Sequence, residues 1–184
     1  MVEPHQIFGR LGNQLFQMAF ILNFAIKNKT NVFLQDENFF KDSKKEIIAL
    51  FSEGIGHIDK VSIHVRRGDY VVPPHDAFYT NLCNTDYYEK AIALFPSEKF
   101  LVFSDDIPFC KTYFKGEQFE FSEGRSEIED LNLMASCKRG NIIANSSFSW
   151  WGAYLSGNPG NKIIAPKNWS IREVTKLPKE WTVV

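Results

Sequence analysis

The chain has 184 residues, of which 44% are hydrophobic and 23% are charged, and its formal net charge at pH 7 is -1. This length fits one ordinary domain or two small ones, and the composition is that of a globular protein rather than a disordered one. The near-zero net charge gives no global electrostatic reason to bind nucleic acid or an anionic membrane, so any anion site must be local.

Cysteine usage and the lack of targeting signals favour a cytoplasmic protein. Cys83, Cys110 and Cys137 are odd in number and lack the close pairing of a zinc site or a CxxC redox motif. The first residues show no basic stretch followed by an apolar one, and no apolar run reaches the roughly 18 residues of a membrane helix. We therefore expect reduced thiols and no transmembrane segment.

The N-terminal residues have the pattern of a strand, a glycine turn, a helix and a second strand. A short strand is predicted at 6–8, and the turn FGRLGNQ contains Gly9 and Gly12. Apolar residues then recur at helical spacing up to the next predicted strand, NVFLQ, at 31–35. Glycines here would let the backbone approach a ligand ahead of the helix, although an ordinary tight turn explains them equally well. We place a domain boundary after residue 56, which makes 1–56 a β-turn-α-β region and 57–184 a second domain.

From Val61 onwards strands and helices alternate. The predicted elements are, in order, the strand VSIHVRR, a helix over 86–94 that Thr85 can cap, the strand KFLVFS, the helix DLNLMASC behind a Ser126–Glu129 capping box, the strand NIIAN, the helix SSFSWWGAYLS and the strand KIIAP. This alternation predicts an α/β protein with a Rossmann-type parallel sheet and flanking helices.

The first of these strands ends in the sequence HVRRGD. Side chains alternate along a strand, so His64 and Arg66 share one face with Ser62, while Arg67 points to the other. Open α/β sheets usually bind ligands at the carboxyl ends of their strands, and the planar guanidinium of Arg66 suits a diphosphate. The alternative is a pair of surface arginines with Asp69 as a salt-bridge partner.

Two further strand ends carry candidate ligand groups. Asp105 and Asp106 could hold a metal, bind ribose hydroxyls or simply cap the next helix, and we do not predict a metal there. Asn145, Ser146 and Ser147 lie where a strand turns into a helix, so their hydroxyls and the helix amides could meet a phosphate.

The segments FGRLGNQLFQMAF, IHVRRGDY, FSDD, DLNLMASC and NIIANSSFSWWGAYL together resemble the bacterial alpha-1,2-fucosyltransferase family, glycosyltransferase family 11. More distantly, they resemble the alpha-1,6-fucosyltransferases and the protein O-fucosyltransferases. The resemblance implies a GT-B fold of two facing Rossmann-like domains. It also implies a metal-independent, inverting transfer of fucose from GDP-fucose to the 2-hydroxyl of a galactose-containing glycan.

The resemblance also implies roles for single residues. Arg66 would hold the β-phosphate of the donor and neutralise the charge that grows on GDP, and Asp69 would orient the arginines. His64 and Asp130 would recognise guanine. The remaining implied donor contacts are Asp105 and Asp106 near the ribose, Ser146 and Ser147 near the diphosphate, and Gly12 and Asn13 from the other domain.

The chain departs from the family pattern in its N-terminal half. Only 25 residues separate NVFLQ from VSIHVRR, where family members have most of an N-terminal Rossmann-like domain. We therefore expect a truncated N-terminal acceptor domain beside a complete donor domain. This leaves open a second interpretation, in which the chain is a GDP-sugar-binding module without transferase activity.

Overall fold

The computed structural model describes residues 9–29, 55–170 and 177–184. The chain divides into two compact units, Met1–Gly54 and Ile55–Val184, and each is described by itself. The strands predicted at 6–8 and 31–35 lie outside the described residues. The acceptor and donor roles assigned to the two regions stay predictions.

The described part of the first unit is the helix α1, Leu11–Lys27. Gly9 precedes it with a φ of +87°, a left-handed conformation that favours glycine, and the Gln14 side chain donates a 2.8 Å hydrogen bond to the Gly9 carbonyl. The turn is therefore complete before Leu11. The prediction that Gly12 and Asn13 belong to this turn is wrong, because both lie in the first turn of α1.

The second unit contains a parallel sheet with six strands among the described residues. The strands are β1 (Val61–Val65), β2 (Phe100–Ser104), β3 (Phe119–Phe121), β4 (Gly140–Ile142), β5 (Ile163–Ala165) and β6 (Thr182–Val183). Their spatial order is β3-β2-β1-β4-β5-β6, and every pairing is parallel. The strand order reverses between β1 and β4, as in Rossmann folds. The predicted Rossmann-type fold class is confirmed, whereas the GT-B arrangement of two domains stays a prediction.

Four α-helices connect these strands in the described residues. They are α2 (Tyr87–Ala93), α3 (Ile107–Tyr113), α4 (Glu127–Ser136) and α5 (Ser147–Ser156), and short 3-10 turns cover Gly68–Val71, His75–Ala77, Leu82–Asn84 and Gly160–Lys162. The predicted capping box at the start of α4 is present. No helix within 9–29, 55–170 or 177–184 is both long and apolar enough to cross a membrane.

The N-terminus of α2 differs in detail from the prediction. Asp86, not Thr85, is the N-cap residue, and its side chain makes no capping hydrogen bond. The Thr85 hydroxyl still accepts a 3.3 Å hydrogen bond from the Tyr87 amide, and it donates one of 2.7 Å to the Leu82 carbonyl. Thr85 therefore still accepts a hydrogen bond from a helix amide, but it does so from the residue before the N-cap and not from the N-cap itself.

The two faces of β1 serve different purposes. Ile63 and Val65 are fully buried in the main apolar cluster. On the other face, the Ser62 hydroxyl accepts a 2.8 Å hydrogen bond from the Asn141 side chain, which also donates to the Met134 carbonyl of α4. The α4 side of the sheet is therefore partly polar.

Strand β1 ends two residues before the predicted boundary. Two residues beyond its end, the Arg67 amide donates to a side-chain oxygen of Asp105 at 2.9 Å instead of to a strand carbonyl. Strand β4 likewise ends at Ile142 rather than at residue 145. The Ala144 amide is bound by the Ser149 hydroxyl instead of by a neighbouring strand.

Candidate functional site

The polar side chains gather at the carboxyl ends of the strands, around the point where the strand order reverses. His64 is 5% exposed, and its ring lies 5.5 Å from that of Phe148 in the first turn of α5. Its carbonyl accepts a 2.8 Å hydrogen bond from the Tyr88 hydroxyl. The end of β1 thus adjoins the N-terminus of α5, where Rossmann-like sheets form a ligand crevice.

Arg66 follows β1 and is held by two carboxylates. Its Nη1 lies 2.6 Å from an Asp105 oxygen, and its Nη2 forms an ion pair with Asp69. The guanidinium side chain is 10% exposed and lies 5.3 Å from the centre of the Tyr70 ring. These ion pairs use two of the five N–H donors of a guanidinium and leave three that they do not use.

Arg67 turns away from Arg66 towards α3. Its Nε donates a 3.0 Å hydrogen bond to Asp106, and its guanidinium carbon lies 3.4 Å from the centre of the Phe109 ring. Arg66 and Arg67 thus contact different groups on different sides of the chain, in agreement with the predicted alternation of their side chains. Gly68 follows with no room for a side chain, because a Cβ there would lie 2.5 Å from an Asp105 oxygen.

Each carboxylate oxygen of Asp105 and Asp106 accepts from a protein donor. Asp105 accepts from Arg66 and from the Arg67 amide, whereas Asp106 accepts from Arg67 and, at 3.1 Å, from the Phe109 amide. The hydrogen bond from Arg67, followed by that from the Phe109 amide, lowers the pKa of Asp106. Asp106 is therefore the N-cap of α3, as in the capping alternative, and the ribose contacts stay predictions. Among the residues that the structure describes, no three His, Cys, Asp or Glu side chains form a metal-binding group.

Asp130 on α4 lies at the same edge of the sheet, beside β3. Its carboxylate accepts a 2.5 Å hydrogen bond from the hydroxyl of Ser122, the residue that follows β3, and Arg125 donates to the same hydroxyl at 3.2 Å. Burial raises the pKa of Asp130. Sequence reasoning missed Ser122 and Arg125, because the three-residue strand before them is too short to give a clear pattern.

Of the three polar residues Asn145, Ser146 and Ser147 after β4, the first two are buried and bonded to backbone groups, and the third is partly exposed. Asn145 is 1% exposed, and its amide donates to the carbonyls of Thr80 at 3.0 Å and Trp169 at 2.9 Å. Ser146 is the N-cap of α5, with its hydroxyl accepting from the Phe148 amide at 3.3 Å. Ser147 is partly exposed in the first turn of α5. The diphosphate contacts of both serines stay predictions.

Tyr70 is a further residue of this edge that sequence reasoning missed. Its hydroxyl donates a 3.1 Å hydrogen bond to the Asn145 carbonyl, and its ring stacks on Tyr79 with centroids 3.9 Å apart. Burial raises the pKa of this hydroxyl, which therefore stays a neutral donor near pH 7. The sequence did offer one indication that Tyr70 belongs to this edge, because the residue directly follows the HVRRGD motif.

Gly12 and Asn13 belong to the first unit. Gly12 is buried and Asn13 exposed in the first turn of α1. Their predicted contact with the donor stays a prediction.

The sheet order defines a Rossmann-like α/β protein, and charged and hydroxyl side chains form a candidate ligand site at the carboxyl edge of its sheet. The chain belongs to glycosyl transferase family 11, whose family model matches residues 21–184. This confirms the family that the sequence motifs indicated.

Several characterised proteins are similar to the chain. An alpha-1,2-colitosyltransferase of Escherichia coli is 37% identical over 81% of this chain and 60% of its own length. The O-antigen biosynthesis glycosyltransferase WbnK of Escherichia coli is 38% identical over 59% of this chain and 38% of its own length. The galactoside 2-alpha-L-fucosyltransferase Sec1 of Mus musculus is 33% identical over 53% of this chain and 28% of its own length.

The chain thus covers less than two thirds of the length of each of these three relatives. No solved structure matches the chain.

Proposed function

We propose that the protein is an inverting glycosyltransferase that moves fucose from GDP-fucose to the 2-hydroxyl of a galactose-containing glycan. The observation that carries this proposal is the position of Arg66, directly after β1 and beside the reversal of strand order, next to the point where the His64 ring approaches Phe148 of α5. The names of two relatives, an alpha-1,2-colitosyltransferase and a galactoside 2-alpha-L-fucosyltransferase, support the linkage.

In this proposal Arg66 carries the main catalytic contribution. The bond between the anomeric carbon of fucose and the β-phosphate oxygen breaks, and a bond to the acceptor 2-oxygen forms on the opposite face of the sugar. The proton of the acceptor hydroxyl is released to solvent, and the bonding electrons of the broken bond leave with GDP. Negative charge grows on the departing GDP, and a pre-positioned guanidinium stabilises that charge. Asp69 and Asp105 hold the guanidinium in place.

The other residues recognise the nucleotide. His64 and Asp130 bind guanine, with the carboxylate accepting from the N1 and N2 hydrogens of the base. Further donor contacts come from Asp105 and Asp106 at the ribose, Ser146 and Ser147 at the diphosphate, and Gly12 and Asn13 in the first unit. Because Arg66 and the α5 amides supply positive charge, the reaction needs no metal.

A second candidate is a GDP-sugar-binding module without transferase activity. The 25 residues between NVFLQ and VSIHVRR favour it, since they leave little chain for an acceptor domain. The name of one relative also makes colitose a candidate donor sugar.

Incubation of the full chain with GDP-fucose and a panel of galactosides tests these candidates. We expect the mass of the acceptor to rise by one fucosyl group, and we expect no product with a 2-deoxygalactoside. A parallel reaction with a colitose donor identifies the sugar. GDP binding without transfer to any acceptor supports the module, and equal affinity for GDP and UDP contradicts the guanine assignment.

A further inference from the structure

Asn145, which follows β4, is tied to the loop after β1 by two hydrogen bonds and to the segment after β5 by a third. The Tyr70 hydroxyl donates to the Asn145 carbonyl, and the Asn145 side chain donates to the carbonyls of Thr80 and Trp169. Asn145 is almost fully buried, so these bonds join segments inside the protein. The loop carrying Arg66 and the chain entering α5 are thereby held together.

The Tyr70 ring lies within this connection and beside Arg66. One of its faces stacks on Tyr79 with an angle of 3° between the rings. The Arg66 guanidinium lies 5.3 Å from the ring centre, within the range of a cation–π interaction. Tyr70 therefore contacts both the arginine and the backbone next to the Ser146 cap.

The two ion pairs of Arg66 do not by themselves fix its position, so the contact with the Tyr70 ring can contribute. Of its two acidic partners, the Asp69 side chain is 44% exposed and the Asp105 side chain 21% exposed. An exposed carboxylate can move when an anion competes for the guanidinium, whereas a ring stacked on Tyr79 is fixed. The ring thus gives Arg66 a neutral support that does not compete with an anion.

We propose that Tyr70 is a positioning residue that holds the Arg66 guanidinium at a fixed distance from the N-terminus of α5, so that both can contact one diphosphate. This inference rests on the proposed function only in taking the ligand to be a diphosphate, and it requires neither guanine nor fucose. Tyr70 itself does not contact the reacting atoms. Its effect is transmitted through Arg66 and Asn145.

Two substitutions separate the ring from the hydroxyl. Tyr70→Leu removes both the π face and the hydrogen bond, and it should weaken binding of inorganic pyrophosphate and of GDP by about tenfold. Tyr70→Phe keeps the ring and should weaken both by about threefold, the scale of one neutral hydrogen bond. Guanosine lacks the diphosphate, so its affinity should be unchanged in both variants.

The matched control is Tyr154→Phe, which removes a hydroxyl from the 57% exposed Tyr154 in the last part of α5. It should bind pyrophosphate as the parent protein does. Titration calorimetry for GDP and pyrophosphate and ligand-observed NMR for guanosine give the three affinities. Thermal unfolding shows that each variant is folded.

A purely structural role for Tyr70 predicts a different result, namely that guanosine and pyrophosphate affinities fall together with thermal stability. That outcome, or parental pyrophosphate affinity in Tyr70→Leu, overturns the inference. If Tyr70→Leu does not fold, the Tyr70→Phe variant is used instead. A lower ratio of pyrophosphate to guanosine affinity than in the parent supports the inference, and an unchanged ratio overturns it. An Arg66→Ala variant that binds pyrophosphate normally instead overturns the proposed diphosphate site itself.

Discussion

The two sides of the strand-order reversal are built from different chemistry. On the β1 and β2 side, Arg66 and Arg67 meet Asp69, Asp105 and Asp106 in a cluster of formal charges. On the β4 side, Asn145 and Ser146 are neutral, buried and engaged with backbone groups. In the proposed function, the charged side meets the ligand by exchanging ion-pair partners, whereas the neutral side supplies the N-terminus of α5.

The same contrast separates the two adjacent arginines. Arg66 contacts acids that are partly exposed, and its two ion pairs leave three of its five N–H donors unused. Arg67 lies over Phe109 and binds the N-cap residue of α3, so its contacts stabilise a helix and the β1–β2 edge. Neighbouring residues of the same type therefore have different roles because a chain leaving a strand directs consecutive side chains apart.

The largest expected effect comes from changing the two arginines separately. Arg66→Lys keeps a positive charge but loses the planar fork, so turnover should fall about 10²-fold or more while the fold stays intact. Arg67→Lys should lower the free energy of unfolding by about 1 kcal/mol, through the lost stacking on Phe109, with little change in turnover. Steady-state kinetics and thermal unfolding of both variants check this. The reverse pattern in two folded proteins would show that the ligand-binding arginine is Arg67.

Asp130→Asn tests nucleotide recognition and should have the next largest effect. Losing the carboxylate should weaken GDP binding on the order of tenfold. The upper limit is a few kcal/mol, which is the scale of charge-assisted hydrogen bonds. Because the pKa of Asp130 is raised, chiefly by burial, GDP affinity of the parent should begin to fall at a higher pH than for an ordinary aspartate. Calorimetric titrations from pH 7 downwards measure both effects. An identical acid dependence in Asp130→Asn would assign the titration to another group.

Stability should change in the opposite direction from binding at this position. A raised folded-state pKa means that Asp130 contributes stability below the unfolded pKa and loses it as pH rises through the folded pKa. The neutral Asp130→Asn variant should therefore melt at a higher temperature than the parent at pH 7, with the difference shrinking in acid.

Glu129→Gln is the matched control for Asp130→Asn. Hydrogen bonds from Ser126 lower the pKa of Glu129, so the stabilising effect of this group is present at neutral pH and lost as pH falls through the folded pKa. Glu129→Gln should therefore lower the melting temperature at pH 7 without changing GDP affinity. A stability loss in Asp130→Asn like that in Glu129→Gln would contradict the assignment of burial as the dominant influence on Asp130.

A smaller effect separates the two serines on the neutral side. Ser146→Ala removes the α5 cap and should lower the free energy of unfolding by about 1 kcal/mol. Ser147→Ala should leave stability unchanged and weaken GDP binding about threefold, as expected for one lost hydrogen bond to the diphosphate. Thermal unfolding and calorimetry distinguish the two. Unchanged GDP affinity in Ser147→Ala would remove Ser147 from the proposed site.

Sequence patterns predicted the parts of this molecule that depend on local spacing. The parallel sheet, the capping box at Ser126 and the grouping of polar residues at strand ends all follow from periodicity or from fixed offsets along the chain. The family motifs indicated family 11, which the family model confirms.

Contacts between distant segments were not predictable in the same way. The bond from Tyr70 to Asn145 joins residues 75 positions apart, and that from Arg67 to Asp106 joins residues 39 apart. The early end of β1 has the same origin, because a carboxylate from the end of β2 takes the Arg67 amide. The three-residue strands β4 and β5 were indicated by the apolar runs NIIAN and KIIAP, whereas no such run indicated β3 and β6, which have three and two residues.

The smallest expected effect concerns metal removal. All four carboxylate oxygens of Asp105 and Asp106 accept hydrogen bonds or ion pairs from Arg66, Arg67 and the Phe109 amide. A divalent cation would have to displace these donors and would bring its charge close to two guanidinium groups, which opposes its binding. We therefore expect EDTA to leave transferase turnover and GDP affinity essentially unchanged. Complete loss of turnover with EDTA, restored by Mn²⁺ or Mg²⁺ but not by Ca²⁺, would make the acids at the end of β2 a metal site. A bound cation, and not Arg66 alone, would then stabilise the negative charge that grows on GDP.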